Sequence, residues 1–136
     1  MKIIIETPKY SFFKYHRIGE EFKEVFFSPI PTIFNYGFIE GTQGPDGMEE
    51  DAVVLGSRLA QGCVIERDHV DGVVRFLDDG VRDDKQLIHL SGICSIPVLS
   101  VYFRTYAFYK ILLYLILEGR VARCRFKGIE MLAPKS

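Results

Sequence analysis

Four carboxylates fall within six residues in Asp46-Gly47-Met48-Glu49-Glu50-Asp51. Crowded like charges repel unless cations sit among them, so this cluster points to a hard divalent metal, which takes oxygen ligands. About thirty residues on comes a second acidic turn, Asp78-Asp79-Gly80-Val81-Arg82-Asp83-Asp84-Lys85. If both turns converge at one end of a sheet or barrel, they make a metal-assisted phosphate site. The plainer alternatives are a solvated loop for the first and, for the second, a polar hairpin turn in which Lys85 pairs with Asp83. The residues alone leave both readings open.

The elements that must position these turns read mostly as short strands. Lys2 to Glu6 is β-branched and ends at Thr7-Pro8, Phe12 to His16 alternates weakly before a turn at 17–20, and Phe22 to Phe27 follows. Pro29 and Pro31 bar regular structure. The aromatic run Ile33 to Ile39 leads into the first acidic turn, where Asp46-Gly47 supplies turn chemistry. Ala52 to Leu55, Cys63 to Glu66, Val70 to Leu77 and Lys85 to Leu90 continue the series. Many short strands, with no helical period before about residue 98, argue for a small β-barrel or sandwich.

Pro97 to Glu118 changes character. Leu99, Tyr102, Phe103, Tyr106, Phe108, Tyr109, Leu112, Leu113, Ile116 and Leu117 give a broad apolar face at helical spacing, with Gly119 as the C-cap. So wide a face is expected to be core, or in part the cover for another subunit, which makes the chain a homo-oligomer. Residues 120–126 alternate Val121, Arg123 and Arg125 with Ala122, Cys124 and Phe126, as a closing strand would.

The 136 residues, 48% of them hydrophobic, suffice for one packed domain spanning 1–136. A net charge of −1 argues against non-specific nucleic-acid or anionic-membrane binding as the main role. The longest apolar stretch, Ile111 to Leu117, is far below the roughly twenty residues that span a bilayer. Cys63, Cys94 and Cys124 are odd in number and without metal-motif spacing, and Met1 to Glu6 turns polar at once. A cytoplasmic protein with reduced, buried thiols is the expectation. His16, His69 and His89 are dispersed in strand contexts and read as structural or surface residues.

In order and spacing, these residues resemble the soluble family I inorganic pyrophosphatases. Glu6-Thr7-Pro8 with Lys14-Tyr15 is similar to that family's N-terminal pairs, and Ser28-Pro29-Ile30-Pro31 with Asn35-Tyr36-Gly37-Phe38-Ile39 to the segment before its metal loop. Asp46 to Asp51 stands where the family has Asp-Gly-Asp-Pro-x-Asp. Asp78, Asp83 and Lys85 resemble its second metal loop, and Tyr109-Lys110 its phosphate-binding pair. The resemblance implies a mainly β, OB-like five-stranded β-barrel with one or two flanking α-helices. It implies Mg²⁺, with Mn²⁺ or Co²⁺ as substitutes, held by Asp46, Asp51, Asp78 and Asp83 with Glu6 at the edge. Lys14, Lys85, Tyr36, Tyr109 and Lys110 would face pyrophosphate oxygens, and Asp46, Asp51, Lys85 and Glu49 would carry the catalytic roles.

Two departures matter. Met48 stands where the family has its general-base aspartate, and a thioether neither takes a proton nor binds Mg²⁺ well. Glu49 or Glu50 is then the candidate replacement. The family's arginine before Ser28 is replaced by Glu24, with Lys23 beside it on the other face of the strand. The implied activity is Mg²⁺-dependent hydrolysis of pyrophosphate or a related small phosphoanhydride. A catalytically weak relative that binds metal and phosphate as a sensor or subunit is the alternative. An OB-like single-strand nucleic-acid module would need a basic aromatic groove, which the acidic loops oppose.

Overall fold

The computed structural model describes every residue except Pro29, Pro45, Asp46, Ile93, Cys94 and 133–136, together with the side chain of Phe26. The expectations for Asp46 and Cys94 therefore lie outside the described residues. The chain runs β1 (Lys2–Thr7), β2 (Phe13–Ile18), β3 (Glu21–Phe27), β4 (Asn35–Ile39), β5 (Asp51–Leu55), β6 (Val64–Glu66), β7 (Gly72–Asp78), β8 (Val81–Arg82), β9 (Lys85–His89), α1 (Ile96–Glu118) and β10 (Arg125–Met131).

One sheet follows the order β10-β7-β9-β5-β4-β1-β6, with β8 paired to β7, and β2-β3 form a separate hairpin. The five strands β7, β9, β5, β4 and β1 sit at the centre of that order, and α1 flanks them. This is the mainly β, OB-like arrangement expected from the sequence. β5 and β9 pair in parallel, Asp51 opposite Lys85, whereas the other pairings are antiparallel.

Strand alternation divides the interior in two. Val53 and Leu55 of β5 join Phe34, Tyr36, Val74, Phe76 and Leu87 beneath Leu99, Tyr102, Phe103 and Ala107 of α1. Ala52 and Val54 turn the other way, into a cluster with Ile3, Ile5, Ile39 and Ile88. Phe103 stacks on Phe34 at 5.5 Å and on Phe126 at 5.9 Å between ring centroids. Each fully buried ring of this kind contributes about 1.5–3 kcal/mol by its burial. β1 and β4 approach so closely at Gly37 that a Cβ there would lie 1.9 Å from the Ile4 carbonyl oxygen.

Local chemistry fixes the helix ends. The Ser95 side chain accepts from the Val98 amide at 3.4 Å, Pro97 fits the first turn, and Gly119 closes the helix at φ 66°. Only part of the broad apolar face is covered. Leu99, Tyr102 and Phe103 are core, but Phe108, Ile116 and Leu117 are largely exposed.

The closing strand differs from its sequence reading. Pairing begins at Arg125, opposite Leu77, and runs on to Met131, while 121–124 stay outside the strand. Alternation did mark the faces, since Ala122 and Cys124 are buried and Val121 and Arg123 exposed. β7 ends at Asp78, however, so 121–124 face the β7–β8 turn, where the Gly80 amide donates to the Arg123 carbonyl.

Candidate functional site

Three local features bring the acidic residues together. Parallel pairing of β5 with β9 sets Asp51 beside Lys85 at the first residue of each strand. The tight turn between β7 and β8 passes through Asp79 and Gly80, both at positive φ, and returns the chain so that the Asp83 amide donates to the Phe76 carbonyl. Asp78 and Asp83 thereby reach the same end of the barrel as Asp51. The neighbouring Asp84 points elsewhere, binding Arg75 at 2.9 Å, Arg82 at 2.6 Å and the Phe76 amide.

Glu6, Lys14, Glu49, Asp51, Asp78, Asp83 and Lys110 line one cleft of about 760 Å³. Lys110 on α1 stands 3.5 Å from Asp78 Oδ2. Lys14 on β2 lies over the Tyr36 ring at 4.6 Å. Glu6 is buried, its Oε2 accepting from the Arg17 amide at 2.7 Å and lying 3.5 Å from His16 Nδ1. Glu49 Oε2 accepts from the Gly41 amide at 3.0 Å. Met48 lines the same cleft.

Lys85 and Tyr36 sit one layer deeper, lining an adjoining cavity of about 30 Å³ that Lys14 also borders. Lys85 is 1% exposed, with its Nζ 2.9 Å from Asp83 Oδ2 and 3.5 Å from Asp51 Oδ2. The pairing with Asp83 exists as the plain reading had it, but in a buried site rather than a solvated turn. Burial opposes the charge on Lys85, yet Asp51 and Asp83 outweigh it and raise its pKa. Burial likewise opposes charge on Asp51, and Lys85 and Lys14 together hold its carboxyl below the usual range. The Tyr36 hydroxyl is buried without a hydrogen bond among the described residues. Burial first, then Asp51 and Asp83, push its pKa well up, so it remains a protonated donor.

Tyr109 stands apart. Its hydroxyl donates to the Phe27 carbonyl at 2.6 Å, and it does not line the cleft. Tyr114 does: its hydroxyl donates to Asp78 Oδ1 at 3.1 Å and its ring lies 5.4 Å from Lys110 Nζ. Sequence reading missed it, although the four-residue spacing from Lys110 puts both on one helix face. Arg17 and Arg82 also line the cleft unforeseen; no motif marks Arg17, and Arg82 sits unremarked among aspartates. Glu24 and Lys23 are not among the cleft residues, whereas Val25 between them and Phe26 is.

In kind, the donors fit a hard divalent cation: carboxylate oxygens predominate and the thiol of Cys124 is tucked 3.6 Å behind Asp78. Among the described residues, no three carboxylate, imidazole or thiol groups are gathered tightly enough to enclose an ion. Lys85 instead holds Asp51 and Asp83. The cleft thus offers metal-binding oxygens facing Lys14, Arg17, Arg82 and Lys110, a pairing that suits a polyanion carried with cations.

Residues 3–91 match the model of the family described as inorganic pyrophosphatase. A protein named inorganic pyrophosphatase from Corynebacterium efficiens is 34% identical over 91 residues, covering 64% of this chain and 58% of that protein. Its namesake from Neisseria meningitidis is 45% identical over 60 residues, covering 40% of this chain and 33% of the relative. The chain thus spans less than two thirds of the length of these relatives. The solved inorganic pyrophosphatase of Helicobacter pylori superposes with a TM-score of 0.76 at 22% identity, covering 96% of this chain and 84% of that one. The one from Thermus thermophilus gives 0.76 at 21%, covering 96% and 82%. Identities this low speak for the fold.

Proposed function

The chain belongs to the inorganic pyrophosphatase family, and on that premise we propose that it hydrolyses inorganic pyrophosphate to two phosphates with Mg²⁺, Mn²⁺ or Co²⁺ bound. The observation that carries this reading is the meeting of Asp51, Asp78 and Asp83 with Lys14 and Lys110 around one cleft.

In this reading Asp51, Asp78 and Asp83 hold the cations, with Glu6 at the edge, and Asp46 is the further ligand that the family resemblance implies. When bound, the cations make water more acidic and draw charge from the phosphoryl oxygens. Lys14, Lys110, Arg17 and Arg82 bind the phosphate oxygens, the two guanidinium groups standing in for the arginine absent before Ser28. Lys85 works through Asp51 and Asp83, fixing both carboxylates and cancelling part of their charge. Tyr36, kept protonated, gives a buried donor at the cleft floor. Glu49 takes the proton of the attacking water in place of the aspartate that Met48 replaces. A cytoplasmic setting, with Cys63 and Cys124 as thiols, belongs to the same reading.

Phosphate release from pyrophosphate in the presence of each metal tests the proposal, and an absence of turnover with all three removes it. One feature favours a second reading, a relative that binds metal and phosphate without efficient turnover. Glu49 is held by the Gly41 amide, and the resemblance puts Met48 where the family has its base. Calorimetry would then detect pyrophosphate binding without hydrolysis. A base contributes about 10²–10⁴-fold, so Met48→Asp should raise turnover at least tenfold. No gain would count against Met48 as the source of the defect.

A further inference from the structure

The turn between β7 and β8, which carries Asp78 into the cleft, is gripped from outside by one side chain. Asp79 takes φ 53° there, in the left-handed region that few residues other than glycine occupy. Arg120 Nη1 donates to Asp79 Oδ1 at 2.6 Å and Nη2 to Oδ2 at 2.7 Å, a fork that takes both oxygens. Nη2 also donates to Glu118 Oε2 at 3.1 Å, and the guanidinium carbon lies 5.0 Å from the Tyr114 ring centroid. Arg120 reaches this place because Gly119 ends α1 at φ 66° and turns the chain. The side chains of Arg120 and Asp79 are 45% and 34% exposed. A simple ion pair so exposed would count for little. Here a bidentate fork, a ring and a second carboxylate all hold one guanidinium.

The end of α1 and the segment after it tie the turn at two further points. The Gly80 amide donates to the Arg123 carbonyl at 2.9 Å, and the Tyr114 hydroxyl donates to Asp78 Oδ1 at 3.1 Å. The Tyr114 phenol therefore links the two aspartates, its ring against Arg120 and its hydroxyl on Asp78. Asp78 and Asp79 both line the cleft, whereas Arg120 does not. A residue outside the cleft thus fixes the backbone on which a cleft carboxylate stands. Without Arg120, Asp79 is free to leave its positive φ, and rotation of that peptide shifts Asp78 beside it.

We propose that Arg120 is a positioning residue of the cleft: by clasping Asp79 it sets the orientation in which Asp78 meets a divalent cation. This rests on the reading of Asp78 as a cation ligand. Charge and position act in opposite directions here. As a positive charge Arg120 repels cations, so its removal as a charge alone would tighten their binding. As a clasp, its removal loosens binding. The sign of the change separates the two.

The test is Mn²⁺ binding to the whole chain without pyrophosphate, followed by the electron spin resonance of the free ion. Arg120→Gln should raise the Mn²⁺ dissociation constant about tenfold, the lower end for losing a group that orients a metal ligand. Arg120→Lys, which keeps the charge but not the fork, should weaken binding too. Lys127→Gln, the same charge change elsewhere, should not. Arg120→Gln with Asp79→Gly should return the constant to within about twofold of wild type, since glycine adopts a positive φ unaided. That recovery also guards against mistaking misfolding for a lost clasp. In the metal-free chain, the Gly80 amide should exchange its hydrogen faster in Arg120→Gln than in wild type. Tighter or unchanged Mn²⁺ binding in Arg120→Gln, no recovery in the double variant, or unchanged Gly80 exchange overturns the proposal. A wild type that binds no Mn²⁺ removes the cation reading and this proposal together. One that binds Mn²⁺ but does not hydrolyse pyrophosphate removes the hydrolase reading alone.

Discussion

Replacing Lys85 by methionine should cost about 2–4 kcal/mol of stability at neutral pH. The Nζ lies 2.9 Å from Asp83 and 3.5 Å from Asp51. At an effective dielectric of 20, each attraction is worth roughly 5 kcal/mol before desolvation. Burying the ammonium returns several of those kcal/mol, so the net gain from the triad is small. Removing the cation alone is another matter, because two carboxylates are then left facing each other. Breaking a fully buried pair typically costs about 3–5 kcal/mol. The carboxylates here are 21% and 25% exposed, so cleft water relieves part of the loss and the lower end applies. Methionine nearly matches lysine in volume and can fill the space below the Phe76 and Tyr36 rings, whose centroids lie 5.4 and 5.6 Å from Nζ, so no large cavity opens. Urea denaturation of Lys85→Met, with EDTA present, measures the loss. In an Asp51→Asn/Asp83→Asn background the same change should cost less than about 1 kcal/mol, since no charge is stranded. Added Mg²⁺ should recover part of the loss in Lys85→Met, the freed carboxylates being the proposed ligands. A loss under about 1 kcal/mol in the wild-type background, or an equal loss in both, would refute the argument that Lys85 is held by these two charges.

Gly37→Ala places a methyl 1.9 Å from the Ile4 carbonyl, so β1 and β4 must part; the thermal midpoint should fall by an amount matching about 3 kcal/mol or more, or the chain should not fold. Burial, then Tyr106, raises the Tyr102 pKa above its usual 10.0, so its stabilising effect is present below that value. As pH rises through it, the unfolded state loses its proton first and stability declines. Tyr102→Phe should flatten that alkaline limb in denaturant titrations, and an unchanged slope would assign the effect elsewhere. Tyr114→Phe should weaken pyrophosphate binding in calorimetry by about three- to tenfold through a loosened Asp78, while Tyr109→Phe should leave it unchanged; the reverse outcome restores Tyr109 to the site.

What was legible in the sequence follows from which physics is local. Apart from β8, which reads as loop, and β10, strand positions came within a residue or two because β-branched runs and Gly, Pro and Asp turns act over a few residues. The two acidic turns were legible as a pair for the same reason, since each announces itself by crowded charge. Depth was not legible. Lys85 and Lys14 look alike in sequence, yet parallel pairing of β5 and β9 buries one behind Asp51 and Asp83 while the other reaches the cleft. Nor was rotation of the helix face: Tyr109 and Tyr114 both neighbour Lys110, but only the four-residue step puts a phenol on the lysine's side. β10 was misplaced because alternation persists through 121–124, whereas pairing depends on where β7 stops.

The helix shows why its breadth misled. The face read as one wide apolar stripe divides in the fold: Leu99, Tyr102 and Phe103 are core, whereas Phe108, Leu112, Ile116 and Leu117 are exposed. Helical spacing alone does not say how much of so wide a face meets the barrel, so the sequence left it as core or, in part, cover for another subunit. The inner part meets the barrel, where stacking of Phe103 on Phe34 and Phe126 fixes the helix angle. A helix stabilising this barrel alone would gain solubility from polar residues at the exposed positions 108, 112, 116 and 117, and carries none there.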